Sequence, residues 1–351
     1  MGATLVDATD KTLLPGLIDP HLHIGQNPKT KQNRPQTILR NGVTAARDPG
    51  RAIEDYRPVI ATERPLPRVF LTGKHLDQRP HAHPQNALDI TSAEQATRVI
   101  DRIVRAGGTG LKVYYRLPID LISATCKRAD FHQIPVTAHL ELVRADAAIL
   151  AGVDGLEHVT SCGTAIASEA DAQLFEETVD QDNAARRLWR FRLWAGIDLD
   201  HPRVGRLIRM MASRGIYLTP TLNVFERRPG DKLETQPFHV DGLRNMLRFT
   251  RMCHDSGVPV VASSHGTPKT CEEGWAMHHE MQLLVEAGIP PLETITASTL
   301  APAKFFRCDD QLGSIEVGKQ ADMVLYAGKP HVDIDDLWTV DRVMLAGRWV
   351  E

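Results

Sequence analysis

Nothing in the sequence reads as a membrane span or an export signal. No apolar run reaches 18 residues, and no basic stretch followed by an apolar core opens the chain. Excess charge of one sign is missing as well. The 41 Lys and Arg nearly balance 44 Asp and Glu, for a formal net charge of -3. That balance gives no electrostatic case for nucleic acid or an anionic membrane surface. The five cysteines, Cys126, Cys162, Cys253, Cys271 and Cys308, are odd in number and scattered, with no C-x-x-C pair. Such spacing fits reduced thiols of a cytoplasmic protein rather than a disulfide framework or a cysteine-built zinc site. Internal repeats and low-complexity tracts are also lacking. What remains is 351 residues, 42% hydrophobic and 24% charged, enough for one large domain with an accessory piece. The expected partner is a small molecule, with a homo-oligomer left open.

Short apolar, β-prone runs recur at 13–24, 43–46, 68–72, 110–115, 134–140, 155–159, 216–222 and 258–263. Helical patterns separate most of them, at 92–106, 119–128, 140–151, 202–213 and 242–255. Ser92, for example, is placed to cap a helix whose Val99, Ile103 and Val104 repeat at helical spacing before Gly107 and Gly108 stop it. Eight strands alternating with helices predict an α/β fold of the (β/α)₈ TIM-barrel type over residues 15–308. Two stretches exceed a minimal barrel. Residues 73–89, rich in His and Pro, read as a long loop, and 162–200 reads as a helical insertion over the barrel mouth. After residue 308 short strands alternate with turns. Residues 309–351 therefore predict a small β-sandwich appendage, partly truncated, which the segment 1–14 completes by pairing through Thr4–Ala8.

Chemistry is concentrated at the ends of the predicted strands. His21 and His23 sit two residues apart at the end of an apolar run, so on an extended strand both rings face one side. Fifteen histidines in 351 residues give roughly 0.6 His-x-His pairs by chance, and His81 and His83 form a second pair in a Pro-rich stretch. Spacing alone therefore decides little. Position decides more, because an uncompensated polar ring at the end of a buried strand is costly. Lys112 lies among Leu111, Val113 and Tyr114, an unusual setting for a solvated lysine. His139 and His158 end the fifth and sixth predicted strands. Converging on one barrel mouth, these five side chains would suit one or two divalent ions that activate a water. His83, Tyr115 and Thr221 are candidate substrate contacts.

Taken in order, P-G-L-I-D-P-H-L-H, G-V-T-A-A-R-D, L-K-V-Y, V-T-A-H, G-V-D-G-L-E-H-V, L-T-P-T-L and L-G-S-I-E-V-G-K-Q-A-D-M-V-L resemble the amidohydrolase superfamily, on its imidazolonepropionase and prolidase-like branch. The resemblance implies a metal-dependent hydrolase of amide, cyclic amide or dipeptide-like C–N bonds, with Zn as the expected ion. It further implies that His21 and His23 bind the more buried metal, that Lys112 bridges two metals as its carbamate, and that His139 and His158 bind the second. The sequence departs from the pattern in V-A-S-S-H-G-T-P, where Ser264 stands at the place of a metal-binding, proton-shuttling aspartate. A serine is neither a carboxylate base nor an anionic ligand. On this reading Ser264→Asp should raise turnover. His265 is the available substitute, although neighbouring strand residues face opposite sides and only a local bulge would turn it inward. The departure keeps open an alternative, a catalytically weak binding or assembly protein that retains the metal site. Only about a dozen residues precede the first motif, which leads to the expectation of a shortened chain with an exposed sheet edge.

Overall fold

A computed structural model describes residues 5–24, 35–56, 65–231, 234–266 and 272–351. Its strands are β1 (Thr12–Pro15), β2 (Leu17–Asp19), β3 (Val43–Asp48), β4 (Arg68–Leu71), β5 (His75–Asp77), β6 (Ala87–Asp89), β7 (Leu111–Val113), β8 (Val136–Ala138), β9 (Gly155–Glu157), β10 (Tyr217–Thr219), β11 (Met323–Tyr326), β12 (Val340–Leu345) and β13 (Arg348–Trp349). Strands β2–β3–β4 form one parallel sheet, and β10–β9–β8–β7–β5–β6 form another. Every residue of β3 is buried, as are those of β7, β8 and β9, which is the mark of a parallel sheet covered on both faces. The covering helices follow local signals. Ser92 caps Ala93–Arg105 by accepting the Gln95 N–H at 3.2 Å, and Pro202–Arg214 stops at Gly215 in the left-handed region.

Hydrogen bonds also run between the two parallel sheets. Thr109 N–H donates to Leu71 O at 2.8 Å, tying the end of β4 to the approach to β7. At the other side, residues 258–265 bridge Leu218 of β10 through Val260 and reach Leu22, just past β2, through His265. This predicted eighth strand is irregular. Pro259 has no N–H to offer, and Ala262 N–H leaves the sheet to donate to Ala297 O. The predicted third strand, 68–72, is present as β4, and past Gly73, which has a positive φ, the chain enters a further strand, β5. Two strands, β5 and β6, thus lie in the stretch expected to be a loop. Each has three residues, too few to show a period against so many His and Pro. The 162–200 insertion is helical as expected, with Glu169–Gln181 and Arg186–Gly196.

The terminal sheet is antiparallel, in the order β1–β11–β12–β13. Its N-terminal contribution is Thr12–Pro15, with Thr12 opposite Tyr326, and not the segment expected. Residues 5–8 form no strand, and Thr4 lies outside the described residues. One layer, with β1 and β13 as its edges, is present among the described residues, so the expected sandwich has no second sheet there. No helix among the described residues is long and apolar enough to cross a membrane.

Candidate metal centre

His21 and His23 follow β2 on one side of the chain, and their Nε2 atoms face each other at 3.3 Å. The other nitrogen of each ring faces a carboxylate. His21 Nδ1 lies 3.1 Å from Glu157 Oε2, and His23 Nδ1 lies 3.3 Å from Asp48 Oδ1. A carboxylate beside Nδ1 holds the proton there, which leaves both Nε2 lone pairs aimed at one point with no proton between them. Two nitrogens about 2.05 Å from a shared ion at a tetrahedral angle stand about 3.3 Å apart. The pair therefore fits a small divalent cation.

Around it, His265 stacks on His21 with ring centroids 4.9 Å apart and meets His23 edge-on at 4.7 Å. His158 stands 4.7 Å from His21 and 4.6 Å from His139. Potential ligand atoms of His21, His23 and His265 all lie within 4.8 Å of one another, as do those of His21, Glu157 and His158. His139 Nε2 lies 3.4 Å from Glu141 Oε1, which turns Nδ1 the other way, and His158 Nδ1 is held by Thr221 Oγ1 at 2.6 Å.

Three residues at this end of the sheet, His158, Thr221 and His265, have positive φ. For non-glycine residues that conformation is uncommon and costs free energy; it recurs where backbone strain serves a site. At position 265 it overturns the expected strand phase. His265 N–H donates to His21 O, which pins the residue while the left-handed turn swings its ring into the cavity.

Beneath the rings lies a charged layer. Glu157 accepts from Arg47 Nη2 and Thr137 Oγ1, both at 2.5 Å, and its other oxygen is 2.7 Å from Lys112 Nζ. All four side chains are buried. Burial would push the Glu157 carboxyl up, but Lys112, His21 and Arg47 together hold it well below the usual carboxylate range. Burial lowers the Lys112 pKa against the opposing pull of Glu157, and it holds His21, His139, His158 and His265 well below the ordinary imidazole value, so these four rings are neutral.

A cavity of about 230 Å³ opens above, lined by His23, Lys112, His139, His158, His265, His83 and Tyr114 among others. His83, one of the candidate contacts, is at the cavity wall, where Arg186 Nη2 donates to its Nε2 at 2.9 Å. Three candidates are placed differently. The Ser264 hydroxyl donates to Asp19 Oδ2, so it is tied to the carboxylate at the end of β2 rather than lining the cavity. Tyr115 turns away to donate to Asn183 Oδ1, leaving Tyr114 at the wall, and Thr221 is taken up by His158. Sequence reasoning missed Asp19, Arg47, Asp48, Glu141 and Glu157. The signal that singled out Lys112, a charge inside an apolar run, was present in A-A-R-D and G-L-E-H as well.

The sequence profile of the amidohydrolase family matches residues 12–350. The chain belongs to that family. Its members hydrolyse C–N bonds and generally use divalent metals, in keeping with the His and Glu cluster. An adenine deaminase of Methylobacterium nodulans is 26% identical over 360 aligned positions, covering 100% of this chain and 52% of the relative. An imidazolonepropionase of Thermoplasma volcanium is 30% identical over 112 residues, 31% of this chain and 26% of that one. This amidohydrolase-family chain thus spans about half, or less, of the length of these curated relatives. Among solved structures, a putative prolidase from Bifidobacterium longum superposes with a TM-score of 0.72 at 23% identity, covering 98% of this chain and 82% of the other. A Xaa-Pro dipeptidase with bound methionine gives 0.70 at 21%, covering 97% and 87%. At such identities the likeness is one of fold.

Proposed function

We propose that this chain is a metal-dependent amidohydrolase that cleaves an amide, cyclic amide or dipeptide-like C–N bond in a closed (β/α)₈ barrel. Barrel closure is supported by the Thr109–Leu71 bond on one side and the bridges through Val260 and His265 on the other. On this reading residues 15–308 are the catalytic domain, and 1–14 with 309–351 form the accessory sheet. The observation that carries the function is the pair of Nε2 atoms of His21 and His23, 3.3 Å apart, with both opposite nitrogens facing carboxylates.

His21, His23 and His265 are assigned to one ion, with His265 in the role the serine at 264 cannot fill. His139 and His158 are assigned to a second, and Lys112, as its carbamate, would contribute a ligand oxygen to each. Burial supports the carbamate by favouring the neutral amine that CO2 requires. Zinc, which imidazole nitrogen suits, is the expected ion. When bound, such an ion supplies an activated water and polarises the scissile carbonyl. The protein's own residues orient the donors: Glu157 and Asp48 face the His21 and His23 rings, Thr221 fixes His158, and Glu141 stands beside His139. His83 and Tyr114 at the wall are assigned to substrate.

Protein purified without chelators should carry at least one equivalent of a transition metal by elemental analysis. His23→Asn should bring that below half an equivalent, and native mass spectrometry should show the mass of one CO2 on Lys112. A panel of N-acyl amino acids, dipeptides, hydantoins, lactones and adenine, assayed with Zn, Mn or Co, should give turnover that His139→Asn abolishes. Less than one equivalent of metal together with silence across the panel would overturn the proposal in favour of a binding or assembly role.

A further inference from the structure

The helix Arg186–Gly196, in the insertion after β9, presents three arginines to the cavity. Arg186, Arg187 and Arg190 all line it, whereas no aspartate or glutamate does among the described residues. Positions three and four apart on a helix are neighbours, and like charges there repel. The apolar side of the same helix, Phe191, Leu193 and Trp194, is buried, so the guanidiniums are held on a fixed mount. Arg186 is partly occupied, donating to His83 Nε2 at 2.9 Å and lying 3.8 Å from Glu141 Oε2. Arg190 has a buried Nε with no hydrogen-bond partner, and its guanidinium lies over the Phe225 ring at 5.1 Å. A buried donor without an acceptor is costly. Arg186 and Arg190 share the one nearby carboxylate, Glu141, and Arg187 adds an exposed third cation at the cavity rim, so this wall carries an excess of positive charge that an anion would balance.

We infer that Arg186, Arg187 and Arg190 form an anion subsite that selects substrates bearing a free carboxylate and disfavours neutral amides and uncharged rings. The planar fork of a guanidinium matches a carboxylate with two parallel hydrogen bonds. Arg186 reaches Glu141, whose other oxygen lies 3.4 Å from His139 Nε2, so the subsite adjoins the His139 side of the centre and would hold the carboxylate while the amide lies over the histidines. This deepens the proposed function and rests on it for the word substrate, but the binding claim can be tested separately.

The probes are an N-benzyl amino acid, which has no amide to cleave, and the matching N-benzyl amino alcohol. They are titrated calorimetrically into the metal-loaded protein. The acid should bind at least tenfold more tightly than the alcohol. Arg187→Met with Arg190→Met should weaken the acid roughly ten- to hundredfold and bring the two ligands within about twofold of each other. Arg190→Lys keeps the charge and stem but not the fork, and should fall between. Arg206→Met, an equal charge loss on an exposed position of Pro202–Arg214, should preserve the preference. Equal affinity for acid and alcohol in the parent protein, or a preference that survives the double substitution in folded protein, would overturn the subsite. Acid preference without turnover of any amide would keep the subsite and remove the hydrolase reading. Turnover without acid preference would do the reverse.

Discussion

Replacing Glu157 by Gln should be among the most destabilising conservative changes in this protein. In chelator-treated protein, where Lys112 is the free ammonium rather than a carbamate, the carboxylate faces two buried cations, Arg47 Nη2 at 2.5 Å and Lys112 Nζ at 2.7 Å, each with a side chain only 2% exposed. An amide keeps the shape but leaves both positive charges without their common counter-ion. Breaking a buried pair from one side costs about 3–5 kcal/mol, because the remaining charge stays desolvated. Arg47 keeps neutral acceptors in Pro20 O and Thr137 Oγ1, which places the cost toward the lower end. Unfolding entropy of about 2.1 cal/mol/K per residue gives about 0.7 kcal/mol per kelvin for 351 residues. The midpoint should therefore fall by roughly 4–7 °C. Circular dichroism melts are best run on chelator-treated protein, so that lost metal affinity does not enter. Adding Lys112→Met to Glu157→Gln removes one stranded cation and should recover about half of the loss. A Glu157→Gln melt within about 1 °C of the parent, with cooperativity kept, would refute the charged-layer reasoning.

Three further expectations follow from single contacts. Ser264→Asp, which the sequence alone suggests should raise turnover, sets a second carboxylate against buried Asp19, itself raised to about 6 by burial against the bonds from Ser264 and His21; the variant should melt lower without a gain in turnover, while Ser264→Ala should lose only about 1 kcal/mol. Asp77 is pushed up to about 7 by burial, so the folded state holds its proton more tightly than the unfolded chain does. The stability it contributes is full below about pH 4 and is lost as pH rises through about 7; Asp77→Asn should flatten that slope and be more stable than the parent at about pH 8, by on the order of 1–4 kcal/mol in denaturant titrations. Gly16→Ala places a Cβ 2.0 Å from Thr44 Oγ1 and should cost about 1–3 kcal/mol by thermal melt, partly restored by Thr44→Ala.

The alternation of strand and helix was legible because each parallel strand is an apolar run bounded by turn residues, and helices such as Ala93–Arg105 carry their own caps. Legibility failed where an element was too short to show a period, as at β5 and β6, or where it lacked regular pairing, as at 258–265. The terminal sheet was expected from its turns, but which residues join it depends on register. Thr12–Pro15 pairs with β11, a choice no local propensity dictates.

At the site, the ligand candidates were legible as histidines ending apolar runs, whereas the charged layer was not, because alternation allows only one of two neighbours to face inward. Glu157 and His158 nevertheless both reach the centre, and so does His265 beside a serine bonded to Asp19. The left-handed residues make this compatible with the strands: a single positive φ at His158 or His265 reverses the side-chain direction one residue early. Histidine, with Asn and Asp, is enriched several-fold in that conformation, so a histidine just past a buried strand carries a hint that the alternation stops there. If that account holds, the serine at 264 is no lesion in an inherited site. On the proposed assignment His265 takes the inward position in place of its neighbour, and its loss should lower the metal content of the protein. Metal analysis of His265→Ala beside Ser264→Ala decides the point: only the first should shed metal, and equal retention by both would return the missing aspartate to the centre of the question.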